Sequence, residues 1–242
     1  MRVHMAAAGL LLGSAVSVPA HAQLAIDRLW VDFEPGAQPR ADVVIRNESA
    51  DRYYISVSPV EVAHPGGNDE SRTDESDPEK LGLLVSPNRL VIDPGGMRSL
   101  RIVSLNSALT ADRIYRVKVV PQVGEIQAGD PGTGNRGVSV KLLTAYDLLV
   151  TVRPSKAKSE LTATRTPTGL TIRNSGNTNT LLFEGQACKI GVKPGASSDC
   201  EDLGARRVYA GNEWIIPMKD PSARVYFKER RLASSEARDV SF

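Results

Sequence analysis

The sequence predicts an all-β protein of two sandwich-like domains behind an export signal. Three observations carry this expectation. The first is a run of apolar residues on one parity: Val138, Val140, Leu142, Tyr146, Leu148, Val150 and Val152, with only Thr144 weaker. Alternate side chains of a strand point to opposite faces, so the run makes one apolar face. Extended over 138–153 it would span about 50 Å, longer than most strands of globular domains. The second is a series of short β-like segments between Pro, Gly and Asn/Asp turn signals, with no convincing amphipathic helix. The third is Pro154-Ser155-Lys156-Ala157-Lys158, a short hinge beyond which strand segments resume.

The elements follow in order. Met1-Arg2-Val3-His4 is a short basic start, residues 5–18 are apolar and small, and Ala20-His21-Ala22 gives an A-x-A cleavage site before Gln23. Residues 1–22 therefore read as a secretory signal peptide, and their apolar run is too short for a membrane span. No later stretch is long and apolar enough for membrane insertion. Residues 24–33 read as a first strand, Arg-Ala-Asp-Val-Val-Ile-Arg at 40–46 as a second, and 53–62 as a third that Pro59 demotes to an edge or bulge. Residues 64–80 are polar and acidic and read as a flexible loop. Two strands then flank Asp93-Pro94-Gly95-Gly96, where Pro94 and Gly95 suit the central positions of a turn. A strand at 114–120 and a glycine-rich stretch at 123–136 lead into the long strand, which Pro154 ends because proline has no N–H to donate. About seven strands in about 130 residues predict an immunoglobulin-like sandwich over 23–154. A smaller strand-rich domain is expected over 155–242, with segments at 161–165, 170–173, 180–183, 187–192, 207–209, 214–218, 224–228 and 237–242.

Composition narrows the function. Lysine and arginine number 30 against 28 aspartates and glutamates, so no basic excess marks nucleic acid or an anionic membrane as the partner. Of the three histidines, His4 and His21 lie in the signal peptide. Only His64 could serve a Ser-His-Asp or Cys-His site, and a multi-histidine zinc site is ruled out. No spacing singles out a carboxylate pair for glycoside hydrolysis. The chain is thus expected to be a binding protein without cofactor or metal. Cys188 and Cys200 are the only two cysteines, and in an exported chain they read as a disulfide.

Several segments together resemble a known family. Leu83-Leu84-Val85-Ser86-Pro87, the turn at Asp93-Pro94-Gly95-Gly96, Ser99-Leu100-Arg101-Ile102, Ile114-Tyr115-Arg116-Val117 and the long strand ending in Arg153-Pro154 look like periplasmic pilus-assembly chaperones of the chaperone–usher type. The cysteine pair and the wording Gly82-Leu83-Leu84-Val85 are similar to the alternate, or class 5 fimbrial, branch. The resemblance implies two immunoglobulin-like domains in a boomerang (L-shaped) arrangement. It implies a periplasmic protein that folds, caps and delivers pilus subunits to an outer-membrane usher. A subunit lacking its last strand exposes an apolar groove and an unpaired edge, and the chaperone lends its own strand. Val138, Val140, Leu142 and Thr144 would fill that groove, each aliphatic side chain contributing about 1.5–3 kcal/mol.

The best-known branch holds the subunit's C-terminal carboxylate with a basic pair, at positions where Trp30 and Leu149 stand here. The Tyr115-Arg116 pair resembles one shared by the archaic and alternate branches, so Arg116 is the expected anchor, with Arg28 second. Asp112, Arg153 and Asp220 match an interdomain salt bridge of the family. A free chain with an exposed strand could cap itself as a homodimer. The competing readings are a structural pilin or adhesin and another secreted immunoglobulin-like binding protein.

Overall fold

Alternation of apolar and polar residues sets the architecture, visible in the computed structural model, which describes residues 24–123, 142–195 and 198–242. In chain order the first half contains β1 (Leu24–Ile26), β2 (Trp30–Phe33), β3 (Arg40–Asn47), β4 (Tyr53–Ala63), β5 (Ser71–Thr73), α1 (Pro78–Leu81), β6 (Leu83–Ser86), β7 (Arg89–Ile92), β8 (Met97–Ser104), β9 (Arg113–Val123) and β10 (Tyr146–Val152). They form two sheets, ordered β1-β3-β8-β6 and β2-β10-β9-β4-β5, with β7 also on β4. Val43, Ile45, Leu100, Val117, Leu148 and Val150 are among the residues that fill the space between these sheets.

The second half contains β11 (Leu161–Thr166), β12 (Gly169–Asn174), β13 (Thr180–Cys188), β14 (Cys200–Leu203), β15 (Arg206–Val208), β16 (Glu213–Pro217), β17 (Arg224–Arg230) and β18 (Arg238–Ser241). Its sheets run β11-β12-β16 and β14-β13-β17-β18, with β15 also on β13. They enclose a separate core around Leu170, Ile172, Leu182, Trp214, Val225 and Phe227. Cys188 and Cys200 stand opposite each other on β13 and β14 and are joined by a disulfide, with 4.0 Å between their Cα atoms.

The structure departs from the sequence expectations in four places. The first strand is two: Leu24–Ile26 pairs with β3, and Trp30–Phe33 crosses to the other sheet beside β10. Asp27 makes the crossing, its Oδ1 accepting from the Val44 N–H while its own N–H donates to the Val44 carbonyl. The segments at 180–183 and 187–192 begin a single strand, β13, interrupted by a bulge between Phe183 and Gln186. The loop at 64–80 is partly ordered into β5 and α1. Asp77 caps α1, accepting from the Glu79 N–H, and Gly82 ends it at φ 75°. The long strand at 138–153 is a strand only from Tyr146 to Val152.

Pro59 behaves as its chemistry requires. β4 pairs with β9 along its length. On its other side β7 covers Tyr53–Ser56 and β5 covers Glu61–Ala63. Pro59 falls between these two neighbours, where no ladder calls for its N–H.

Candidate functional site

The expected donor strand continues β10 backwards. Leu148, Val150 and Val152 point into the core, as their parity requires. Tyr146, on the same parity, donates its hydroxyl hydrogen to the Leu24 carbonyl. Residues 142–145 carry the chain on without joining a sheet. Leu142 is 79% exposed and Leu143 40% exposed, and Thr144 is exposed as well. The β9–β10 ladder ends at the pair Tyr146 and Val119, so the β9 edge over 120–123 has no strand beside it among the described residues. Pro121 sits in that edge without a donor. Val138 and Val140 lie outside the described residues.

The outer face of the β2-β10-β9-β4 sheet holds the expected anchor. Register places Trp30, Leu149, Arg116 and Val60 in one row across the four strands. Residues directly opposite in a sheet share a face, so Arg116 emerges beside the two positions that lack the basic pair. Trp30 is 62% exposed, while Leu149 and Arg116 are half-buried. Arg116 Nη1 donates to the Asp147 carbonyl oxygen at 3.4 Å. Among the described residues no carboxylate lies within ion-pair distance of Arg116, which leaves its guanidinium available to an arriving anion. Arg28 precedes β2 and is half exposed, and it pairs with its neighbour Asp27 at 3.1 Å. The two candidate anchors therefore differ: one is unpaired on the sheet face, and the other is already held beside the strand crossing.

The next row along that face, Asp32, Thr151, Ile114 and Val62, meets the second domain. Thr151, Ile114 and Val62 are buried, yet the two apolar residues belong to neither core. Arg153 is at the seam. Its Nε and Nη2 donate to the two carboxylate oxygens of Asp32 at 2.7 and 2.8 Å. Its Nη1 donates to Thr178 Oγ1 and to the Asn179 carbonyl at 2.5 and 3.1 Å. The Arg153 side chain is 1% exposed and that of Asp32 10%. Asp112 lies on the same seam, its Oδ2 accepting from the Asn179 N–H at 2.7 Å and from Asn179 Nδ2 at 2.5 Å. Its Oδ1 is buried with no hydrogen-bond partner among the described residues. Burial pushes the Asp112 carboxyl above the usual carboxylate range, against the opposing bonds from Asn179 and Thr178 and the charge of Arg153. Burial likewise lowers Arg207, whose Nη1 donates to Asn179 Oδ1 at 2.6 Å.

The expected cluster of Asp112, Arg153 and Asp220 is corrected here. Asp112 and Arg153 meet through Asn179, and the acid that pairs with Arg153 is Asp32. Asp220 sits in an exposed turn, where its carboxylate accepts from the Ser222 N–H and hydroxyl. A turn that satisfies its acid locally leaves none of its charge for a distant guanidinium. Sequence reasoning missed Asp32, Thr178 and Asn179. Asp32 carried a signal, a lone charge between Val31 and Phe33, which are both buried. Thr178 and Asn179 carried none, since polar turn residues are common.

A second seam involves the 64–70 hairpin tip. Asn212 Nδ2 donates to the Pro65 carbonyl at 2.6 Å, and Arg206 Nη2 to that of Gly66 at 3.4 Å. A Cβ on Gly66 would stand 3.2 Å from the Tyr209 ring, and Gly66 has φ +74°. Glycine is required there by both space and backbone conformation. The far side of the molecule adds Ser234, whose N–H donates to Glu34 Oε1 at 2.8 Å.

No family model matches the chain. Over 146 residues it is 28% identical to a CS1 fimbrial protein of Escherichia coli, an alignment spanning 60% of the length of each protein. Its fold matches the class 5 fimbriae chaperone CfaA with a TM-score of 0.66 at 18% identity, over 90% of this chain and 97% of that one. It matches a chain of the chaperone–tip adhesin complex of CFA/I fimbriae with a TM-score of 0.62 at 17% identity, over 91% and 98%. The chain thus has the two-domain β-sandwich fold of the chaperone–usher chaperones, and the class 5 likeness read in its sequence holds at the level of the fold.

Proposed function

We propose that this chain, on the premise of that shared fold, is a periplasmic chaperone that captures and caps pilus subunits and delivers them to an outer-membrane usher. One observation carries the reading. The apolar parity that fills the core at Leu148 and Val150 continues to Leu142, which is exposed beside an unpaired stretch of β9. An exposed strand edge with an apolar face is an aggregation hazard unless it has a partner. A subunit that lacks one strand is the complementary partner, offering an edge for main-chain pairing and a groove for alternate side chains.

In this reading Val138, Val140, Leu142 and Thr144 enter the groove. Arg116 takes the subunit's terminal carboxylate, with Arg28 as the alternative. Residues 1–22 direct export, 23–154 bind the subunit, and 155–242 form the second domain fixed to it through the Arg153 seam. The work is binding, not chemistry, because the only histidine past residue 22, His64, is engaged with Asp69 on the docked hairpin. The reading of the chain as a pilin is weaker, since each half has a core closed between its own two sheets.

The test is co-expression of the exported chain with a candidate fimbrial subunit. A purified one-to-one complex is expected, and Val140→Asp should abolish it while leaving the chaperone folded. Recovery of the free subunit in equal yield without the chain, or indifference to Val140→Asp, would sink the proposal. A free chain running as a dimer in size exclusion, converting to monomer on subunit capture, would identify self-capping at the same edge.

A further inference from the structure

The outer face of the first domain brings two arginines onto one residue. Arg72 stands on β5 opposite Val62, so its side chain leaves on the face that carries Arg116. Asp147 stands one row beyond Arg116, opposite Lys118. The Arg72 side chain reaches diagonally across the Arg116 row, and its Nη1 pairs with Asp147 Oδ2 at 3.1 Å. Arg116 Nη1 closes on the Asp147 carbonyl oxygen at 3.4 Å. Among the described residues, Asp147 supplies the only carboxylate within ion-pair distance of either arginine. The hairpin that carries Arg72 is held in place at its tip by Asn212 and Arg206 of the second domain.

We propose that Arg72 is the second jaw of a carboxylate clamp with Arg116, and that Asp147 occupies the clamp in the free chain. The inference rests on the chaperone reading above and deepens it. The ligand is the C-terminal α-carboxylate of an extended chain lying along the donor strand. Two guanidinium groups facing one carboxylate leave an excess positive charge, and a planar guanidinium grips a carboxylate through two parallel bonds. The Arg72 and Asp147 side chains are both 38% exposed, so the resident pair is screened by water and readily displaced. The clamp restores, from a different strand, the second cation that Trp30 and Leu149 do not provide.

The test uses the full exported chain and a short synthetic peptide of alternating valine and threonine, with its C terminus either free or amidated. Wild type should prefer the free carboxylate by about tenfold or more, the scale of one charge-assisted contact. Arg72→Gln and Arg116→Ala should each remove most of that preference. Asp147→Asn should strengthen binding of the free-carboxylate form only, and that gain should vanish when Arg72→Gln is added. This last coupling separates a clamp from a merely structural ion pair, whose loss would strengthen nothing. If Arg116→Ala removes the preference while Arg72→Gln keeps it, the clamp is overturned and the chaperone reading stands. If wild type binds neither peptide form, the donor-strand reading itself falls, and the clamp with it.

Discussion

Arg153 shows how one residue can tie two domains. Its guanidinium leaves water almost completely and is matched by a bidentate carboxylate and two further acceptors. Removing it would leave Asp32 as an uncompensated, nearly buried charge. Arg153→Ala should therefore cost about 3–5 kcal/mol in urea denaturation, far more than an exposed ion pair. Asp112 is the opposite case, a carboxyl whose burial disfavours its charged form. A folded-state value raised above the unfolded one contributes stability that is fully present below the unfolded value and lost as pH rises through the folded one. The stability of wild type relative to Asp112→Asn should accordingly improve as pH falls from neutrality into the mildly acidic range. Denaturation of both proteins across that range checks the sign, and a difference that narrows or stays flat contradicts it. The resemblance in the sequence pointed to Arg153 and Asp112. It misassigned the partner as Asp220, because pairing across a sheet row is a matter of register and not of proximity in the chain.

β10 illustrates the scale of an element. One parity rule governs its apolar residues, but tertiary context splits them into two classes. Leu148 is fully buried, whereas Leu142 is almost fully exposed. Leu148→Ala should cost about 2–5 kcal/mol by leaving a cavity. Leu142→Asp should change stability by less than about 0.5 kcal/mol while weakening subunit capture. Thermal denaturation and co-purification of the two variants measure these effects, and a stability loss in Leu142→Asp would mean the residue already has a partner within the chain. The strand's apolar face was legible in the sequence as far back as Val138. Its end as a strand at Tyr146 was not, because pairing requires a neighbour on the β9 edge and no local pattern reveals whether one is present. Pro59 was legible for the converse reason: the missing N–H is a covalent fact, and the fold had to leave that edge open.

At the scale of the whole molecule the two sandwiches have separate cores and meet at small polar seams. The Arg153 seam, the docked hairpin tip and the contact between Glu34 and Ser234 set their relationship. Gly66→Val would force a branched side chain into a positive-φ position against the Tyr209 ring, at a cost of about 1–3 kcal/mol. It should loosen the hairpin seam and separate a single unfolding transition into two, seen by differential scanning calorimetry. An unchanged single transition would show that the Arg153 seam alone couples the domains. The same hairpin carries Arg72, so Gly66→Val should also weaken carboxylate recognition without touching the clamp itself.

The sequence by itself determined the all-β class, the division near Pro154, the pairing of the only two cysteines and the apolar parity of the strand before the hinge. Each follows from short-range chemistry: side-chain alternation, a missing N–H, or the absence of any other thiol. Tertiary structure alone decided which acid meets Arg153, that Trp30, Leu149 and Arg116 share one row, and that Arg72 reaches Asp147 from a hairpin read as a loop. Those facts depend on strand register and on sheet order, which bring together residues far apart in the chain. The energies that fix register come from the packed core as a whole, so no single segment carries them.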